Sequence, residues 1–267
     1  MGTRLVAGLT GLAVILPILI WGGPTAVFWL IVPFLVIGLD EYVKMAVPDA
    51  GWPGRVLFWG TGAALYAIVA AFPAFAATAI ALACMGAMLV PMFREPDVGE
   101  AANRAIRYGF GLVYVPVLMA PLARIRLEED GLALVFLVLA STWLGDTGAY
   151  FAGRFFGKTP LFPRVSPKKT VEGVVGGLLL SMIGACVVKY VGGLPFSYAA
   201  VAVLGGVLDL AGVVGDLAES MLKRAFGVKD SGWIMPGHGG ILDRIDSLLF
   251  SAPLLWLVLQ MQELHGV

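Results

Sequence analysis

Apolar and polar residues are segregated along this chain into long blocks. Nine apolar runs, at roughly 5–21, 24–43, 56–72, 74–93, 108–123, 131–145, 174–191, 196–215 and 248–263, alternate with short polar segments. A helix needs about 20 apolar residues to cross the hydrocarbon of a bilayer. The pattern therefore predicts an all-α integral membrane protein, a polytopic bundle of about nine transmembrane helices. Pro17, Pro33 and Pro116 fall inside runs. Each predicts a kink whose freed carbonyl must be satisfied by neighbouring helices, which favours a packed bundle. The first run follows Arg4 as a signal peptide would. It ends in WGGP without a small-x-small cleavage site, so an uncleaved anchor is expected.

Composition narrows the class. Of 267 residues 59% are hydrophobic and 13% charged, with a mean hydropathy of +0.90, too little charge to cover a soluble domain of this length. The formal net charge is zero, so there is no basic signal for nucleic acid and no nucleic-acid partner is expected. Cys84 and Cys186 sit in apolar runs without CxxC or CxxH spacing and read as packed thiols. With the N-terminus placed in the cytoplasm and sides alternating, fifteen Lys and Arg residues fall on the cytoplasmic side. Only Arg124, Arg126 and Lys189 fall outside. This positive-inside asymmetry predicts a cytoplasmic N-terminus. With the apolar blocks it divides the chain into 1–130, a hydrophobic multi-span region, and 131–267, a membrane region with cytoplasmic polar segments 146–173 and 216–247 in which the candidate chemistry lies. For basic residues before 110, topology alone is an equal reading.

The polar segments carry the candidate chemistry. DLAESMLKRAFGVKDSGWIMPGHGGILDRID, 216–246, holds nine charged residues between two apolar runs. Its opening echoes an earlier stretch: GDTGAYFAGRFFGK (145–158) and GDLAESMLKRAFGVK (215–229) share Gly-Asp, then Arg, Phe and Gly at matched spacing. The echo predicts that Asp146 and Asp216 lie near each other. Asp216, Glu219 and Lys223 are spaced to share one helix face, which Asp209 extends into the membrane, where an ionised group usually faces a polar interior. Asp243 and Asp246 repeat the three-residue spacing. Carboxylates converging at a membrane surface repel one another unless a cation sits among them, and oxygen-only ligands suit Mg²⁺. The plainer alternative is helix ends salt-bridged by Lys223, Arg224 and Arg244. SPKKT (166–170) puts two lysines and two hydroxyls before a glycine-rich helix start, and PGHGG (236–240) frees backbone N–H groups for close approach. Phosphate is the natural partner of both. His238 reads as a general acid or base, a phosphate donor or a turn residue. The Walker A pattern is absent.

S-x-x-K-R-x4-K-D-x-G-x3-P-x-H-G-G-x-x-D-R-x-D runs from Ser220 to Asp246 and closely resembles the signature of phosphatidate cytidylyltransferases, also called CDP-diacylglycerol synthases. SPKKT-x-E-G and GDTGAYFAGRFFGK are similar to upstream segments of that family. Specific resemblance covers about residues 140–250. It implies a bacterial inner-membrane enzyme with its active site facing the cytoplasm. That enzyme would join CTP and phosphatidate with Mg²⁺, a potassium ion beside it being a further implied cation, and would form a homodimer in the lipid bilayer. On this chain it implies Asp216 and Asp243 as metal ligands, with Asp246 and Asp146 near the metal. Asp216, Asp243, Lys223 and Arg244 are the expected catalytic set. Ser166, Lys168, Lys169, Arg224, Lys229, His238, Gly239 and Gly240 are the expected substrate contacts.

Phosphatidate's phosphate is already ionised near neutral pH and needs charge neutralisation more than a base. This favours His238 as a phosphate contact. A CTP-dependent polyprenol or dolichol kinase would use similar residues. An ion-coupled transporter would also hold intramembrane carboxylates such as Asp209, but would not require phosphate-binding groups on one face.

Overall fold

The computed structural model describes residues 2–233 and 239–265, with the side chains of 2–10, 12 and 263–265 excepted. Its helices are α1 (Gly2–Trp21), α2 (Gly23–Ala46), α3 (Trp52–Ala71), α4 (Ala76–Arg94), α5 (Val98–Leu112), α6 (Leu118–Ile125), α7 (Gly131–Phe156), α8 (Val171–Gly192), α9 (Tyr198–Ala225), α10 (Leu242–Ile245) and α11 (Leu248–His265). Strands β1 (Pro160–Phe162) and β2 (Ser166–Thr170) form an antiparallel hairpin between α7 and α8. The protein is thus an integral membrane protein built of helices. Among the described residues seven segments are long and apolar enough to span: Gly23–Ala46, Trp52–Ala71, Pro73–Arg94, Val98–Ile125, Gly131–Phe156, Val171–Gly192 and Tyr198–Ala225. Each contains or overlaps one expected run. The remaining two expected runs coincide with α1 and α11.

Several boundaries follow from local chemistry. Asp97 accepts a hydrogen bond from Glu100 N at 2.8 Å and starts α5. Ser197 does the same for α9 through Ala200 N at 3.1 Å, and Thr170 for α8 through Gly173 N at 3.1 Å. The kink expected at Pro116 takes the form of a π-helical turn, Val113–Val117, between α5 and α6, which absorbs the missing proline N–H. The hairpin departs from a wholly α-helical expectation. Ser166 precedes Pro167, which disfavours helix there, and Thr170 is extended as the cap of α8.

The chain divides into two compact units, Met1–Arg124 with Asp230–Arg244 and Ile125–Lys229 with Ile245–Val267. In the first, the Tyr42 ring lies among Phe58, Phe110 and Tyr114, and its hydroxyl donates to Arg107 O at 2.8 Å. The basic residues of this unit are knitted into it. Arg107 donates to Ala46 O at the end of α2 (2.8 Å), Asp40 pairs with Arg55 and Lys44, and Arg104 gathers Asp49, Glu95 and Glu100. These cations have structural partners whatever they contribute to topology.

In the second unit α7 and α8 approach closely because small residues face each other. A side chain at Gly148 would meet the Gly176 carbonyl and one at Gly173 the Gly153 backbone, while Gly176 faces Ala152. Small-residue stripes of this kind let helix backbones pack by dispersion where lipid offers no hydrophobic drive. Several glycines of the 145–157 stretch therefore serve helix packing. Helices α7 and α9 continue well past the polar Gly-Asp pairs at 145–146 and 215–216, since nothing in either sequence breaks a helix there.

Candidate active site

The second unit gathers charge around the polar half of α9. Lys169, at the end of the hairpin, places Nζ 2.8 Å from Asp216 Oδ2, and Ser220 Oγ donates to Asp216 Oδ1 at 3.2 Å. One turn on, the buried Glu219 and Lys223 form an ion pair. The expected shared face of Asp216, Glu219 and Lys223 is thus present, and its deeper part is turned inward.

Asp246 precedes α11, buried, with Oδ1 accepting from Ser247 N at 2.7 Å. Burial pushes its carboxyl up to about 7. The charges of Asp216 and Asp146 add to the rise, while the Ser247 N–H and Lys223 oppose it. Both aspartates of the sequence echo thus act electrostatically on the same buried carboxyl. Ser166 is half-buried in β2, and Lys168, Arg224 and Lys229 are exposed. Arg224 donates to Val228 O at 3.2 Å.

Asp209 lies deeper on α9, 3% exposed, and among the described residues its Oδ2 has no hydrogen-bond partner. Gly145 and Gly177 leave the space that its carboxylate fills. A buried polar atom without a partner is costly, and the polar surroundings expected for Asp209 are not seen at its Oδ2 among the described residues.

In the first unit Asp243 sits in a net of hydrogen bonds. Its Oδ2 accepts from Gly240 N (2.7 Å), Ser231 Oγ (2.8 Å) and Ser231 N (3.0 Å). Gly239 has φ +79°, a conformation that favours glycine. The Gly240 N–H, expected to face phosphate, is thus committed to Asp243. Arg244 is exposed. His238 lies outside the described residues.

Sequence patterning does not single out Glu41, and the structure does. This α2 residue is 5% exposed, and its carboxylate accepts from Leu242 N at 2.8 Å and Ile241 N at 3.0 Å. The signal that was available is an acidic pair, Asp40 and Glu41, inside the apolar run 24–43.

Among the described residues no three or more Asp, Glu, His or Cys side chains stand together closely enough to hold a metal ion. The chemistry nevertheless suits a hard cation. Asp146, Asp216 and Asp246 offer only oxygen, and Asp246 is raised first by burial and then by the charges of Asp216 and Asp146, both of which a divalent cation would offset. Lys169 supplies one positive charge to the group through Asp216.

A family model described as the cytidylyltransferase family matches residues 2–262. Three similar proteins bear the name phosphatidate cytidylyltransferase. That of Bacillus subtilis (strain 168) is 46% identical over 134 residues, covering 50% of this chain and 50% of the relative. That of Staphylococcus haemolyticus (strain JCSC1435) is 46% identical over 132 residues, 49% and 51%. That of Staphylococcus saprophyticus is 47% identical over 132 residues, with the same coverage. The chain spans about half the length of the curated relatives it matches.

Proposed function

We propose a reaction for this chain, which belongs to the cytidylyltransferase family: transfer of the cytidylyl group of CTP to phosphatidate, giving CDP-diacylglycerol and pyrophosphate. The observation that carries this reading is the Lys169–Asp216 ion pair, with Asp216 and Asp146 both acting electrostatically on the buried Asp246. Carboxylates suited to a cation and a lysine suited to phosphate are thereby coupled at the polar ends of membrane helices. The names of the relatives support the same reading.

A phosphate oxygen of phosphatidate attacks the α-phosphorus of CTP. The new P–O bond forms as the bond to the β-phosphate oxygen breaks, and pyrophosphate leaves with that electron pair. The nucleophile is already ionised, so no proton has to be removed. The task of the protein is to bring two anions together and to hold the charge of the leaving group. Mg²⁺, with K⁺ as a further cation, would be held by Asp216 and Asp243 with Asp246 and Asp146 near it, and would supply charge neutralisation and Lewis acidity. Lys169, paired with Asp216 here, is proposed as a phosphate-binding cation. Lys168, Lys223, Arg224, Lys229 and Arg244 are further phosphate-binding cations. Ser166, His238 and Gly239 are proposed as hydrogen-bonding contacts, His238 as a donor and not a base, while the Gly240 N–H holds Asp243 instead.

The positive-inside asymmetry supports a cytoplasmic N-terminus, nine spans and an active site facing the cytoplasm, where CTP is dissolved and phosphatidate is held by the bilayer. A bacterial inner membrane and a homodimer complete the proposal. The test is which phosphorus of CTP enters the lipid. The α-phosphorus identifies a cytidylyltransferase, and the γ-phosphorus a CTP-dependent lipid kinase.

A further inference from the structure

Glu41 is buried near the end of the apolar helix α2. A carboxylate buried in an apolar span costs several kcal/mol unless its oxygens are satisfied. Here they are satisfied by a segment about two hundred residues away in sequence. Oε1 accepts from Ile241 N at 3.0 Å and Oε2 from Leu242 N at 2.8 Å, with Ser231 Oγ 3.2 Å from Oε2. The same Ser231 hydroxyl is 2.8 Å from Asp243 Oδ2 and accepts from Asp243 N at 3.3 Å. A hydroxyl has one proton, so it donates to one carboxylate at a time and ties the orientation of each to the other. Two glycines make the arrangement possible. A side chain at Gly232 or Gly240 would occupy the position of the Glu41 carboxylate.

We propose that Glu41 is a positioning residue for the reaction: through the Ile241 and Leu242 amides and the Ser231 hydroxyl it sets the backbone and carboxylate orientation of Asp243. The inference rests on the reading of Asp243 as a cation ligand. Glu41 acts through its neighbours and touches neither substrate nor cation. It explains why an acidic residue stands in α2 and why the segment 231–243 needs glycine at 232 and 240. Neither fact follows from phosphate binding alone.

The test is Glu41→Gln, which keeps the shape but leaves only one oxygen to accept from two amides. Groups that orient a metal ligand from behind typically change metal affinity or rate by about 10–100-fold when altered. Mn²⁺ affinity, measured by electron paramagnetic resonance without substrates, is expected to weaken by about that factor. Hydrogen exchange at residues 241 and 242 is expected to speed up while exchange in α7 and α8 stays unchanged. In turnover the loss should fall on kcat, with the KM for CTP moving less. Wild-type Mn²⁺ affinity and exchange in Glu41→Gln overturn the proposal. So does faster exchange throughout the chain, which makes Glu41 a fold-stabilising residue only. If Glu41→Gln does not fold, Ser231→Ala is measured in the same way. It removes the hydroxyl between the two carboxylates, and unchanged Mn²⁺ affinity there also overturns the proposal. Because the Mn²⁺ and exchange measurements need neither CTP nor lipid, they decide the role of Glu41 even if wild-type protein makes no CDP-diacylglycerol.

Discussion

Lys169 and Asp216 form an ion pair at 2.8 Å although they belong to different elements, the hairpin strand β2 and the long helix α9. The pair makes a prediction with two opposite signs. If Lys169 stands in for a cation at Asp216 and turns to phosphate when one binds, Lys169→Gln frees the carboxylate and removes a phosphate contact. Mn²⁺ affinity should then stay the same or tighten, while turnover falls about 10²–10³-fold, the usual loss when a transition-state charge contact is removed. Titration of Mn²⁺ alongside an activity assay checks both. Joint weakening of metal binding and activity would mean that Lys169 only holds the fold.

The second prediction concerns pH. The Asp246 carboxyl is raised to about 7, first by burial and then by the charges of Asp216 and Asp146. A raised carboxyl is still protonated in the folded protein when the unfolded chain has ionised. The metal-free protein should therefore lose stability as pH rises from about 4 towards 7 and change little above that. A cation must displace the Asp246 proton, so metal affinity has the opposite trend and falls as pH drops through 7. Mn²⁺ titrations between about pH 6 and pH 8 should show this fall in the wild type, and Asp246→Asn should flatten it. The same slope in Asp246→Asn would place the titrating group elsewhere.

Packing supplies a third prediction. A Cβ at Gly145 would fall on Asp209 Oδ1, whereas one at Gly60 meets nothing within 4 Å. Gly145→Ala should displace the Asp209 carboxylate from its buried place and cost about 1–3 kcal/mol, as overpacking does. Gly60→Ala should be neutral or stabilising, since alanine favours helix over glycine. Thermal unfolding in detergent compares the two. Equal midpoints would show that the helices around Asp209 are not tightly packed.

Much of this was legible in the sequence because bilayers impose long apolar blocks. All nine apolar runs became helices, seven of them long and apolar enough to span among the described residues. Where runs ended was legible only as a change of polarity. Helices α7 and α9 run on to Phe156 and Ala225 because a helix stops at a breaker or a cap and not at a membrane surface. The i, i+3 and i+7 spacing after Asp216 had already indicated that continuation. SPKKT was legible as what precedes a helix start, and its pairing with Pro160–Phe162 depends on partners that no local pattern names. The repeated Gly-Asp stretch linked Asp146 and Asp216, and both act electrostatically on Asp246. The Glu41 contacts were not legible, because periodicity reports local geometry and a hydrogen bond across two hundred residues leaves no periodic trace. The basic residues of the first half were read as topological or functional with equal weight. Arg55, Arg104 and Arg107 turn out to be paired or to cap a helix end.

The central claim is cytidylyl transfer, and the most direct measurement follows the phosphorus atoms of CTP. Purified protein in detergent is given phosphatidate and Mg²⁺ with CTP labelled at either the α- or the γ-phosphorus. The account predicts α-label in a lipid product that is CDP-diacylglycerol and γ-label in released pyrophosphate, with both lost in Asp216→Asn. Label from the γ-phosphorus in the lipid, with CDP as the soluble product, would contradict it.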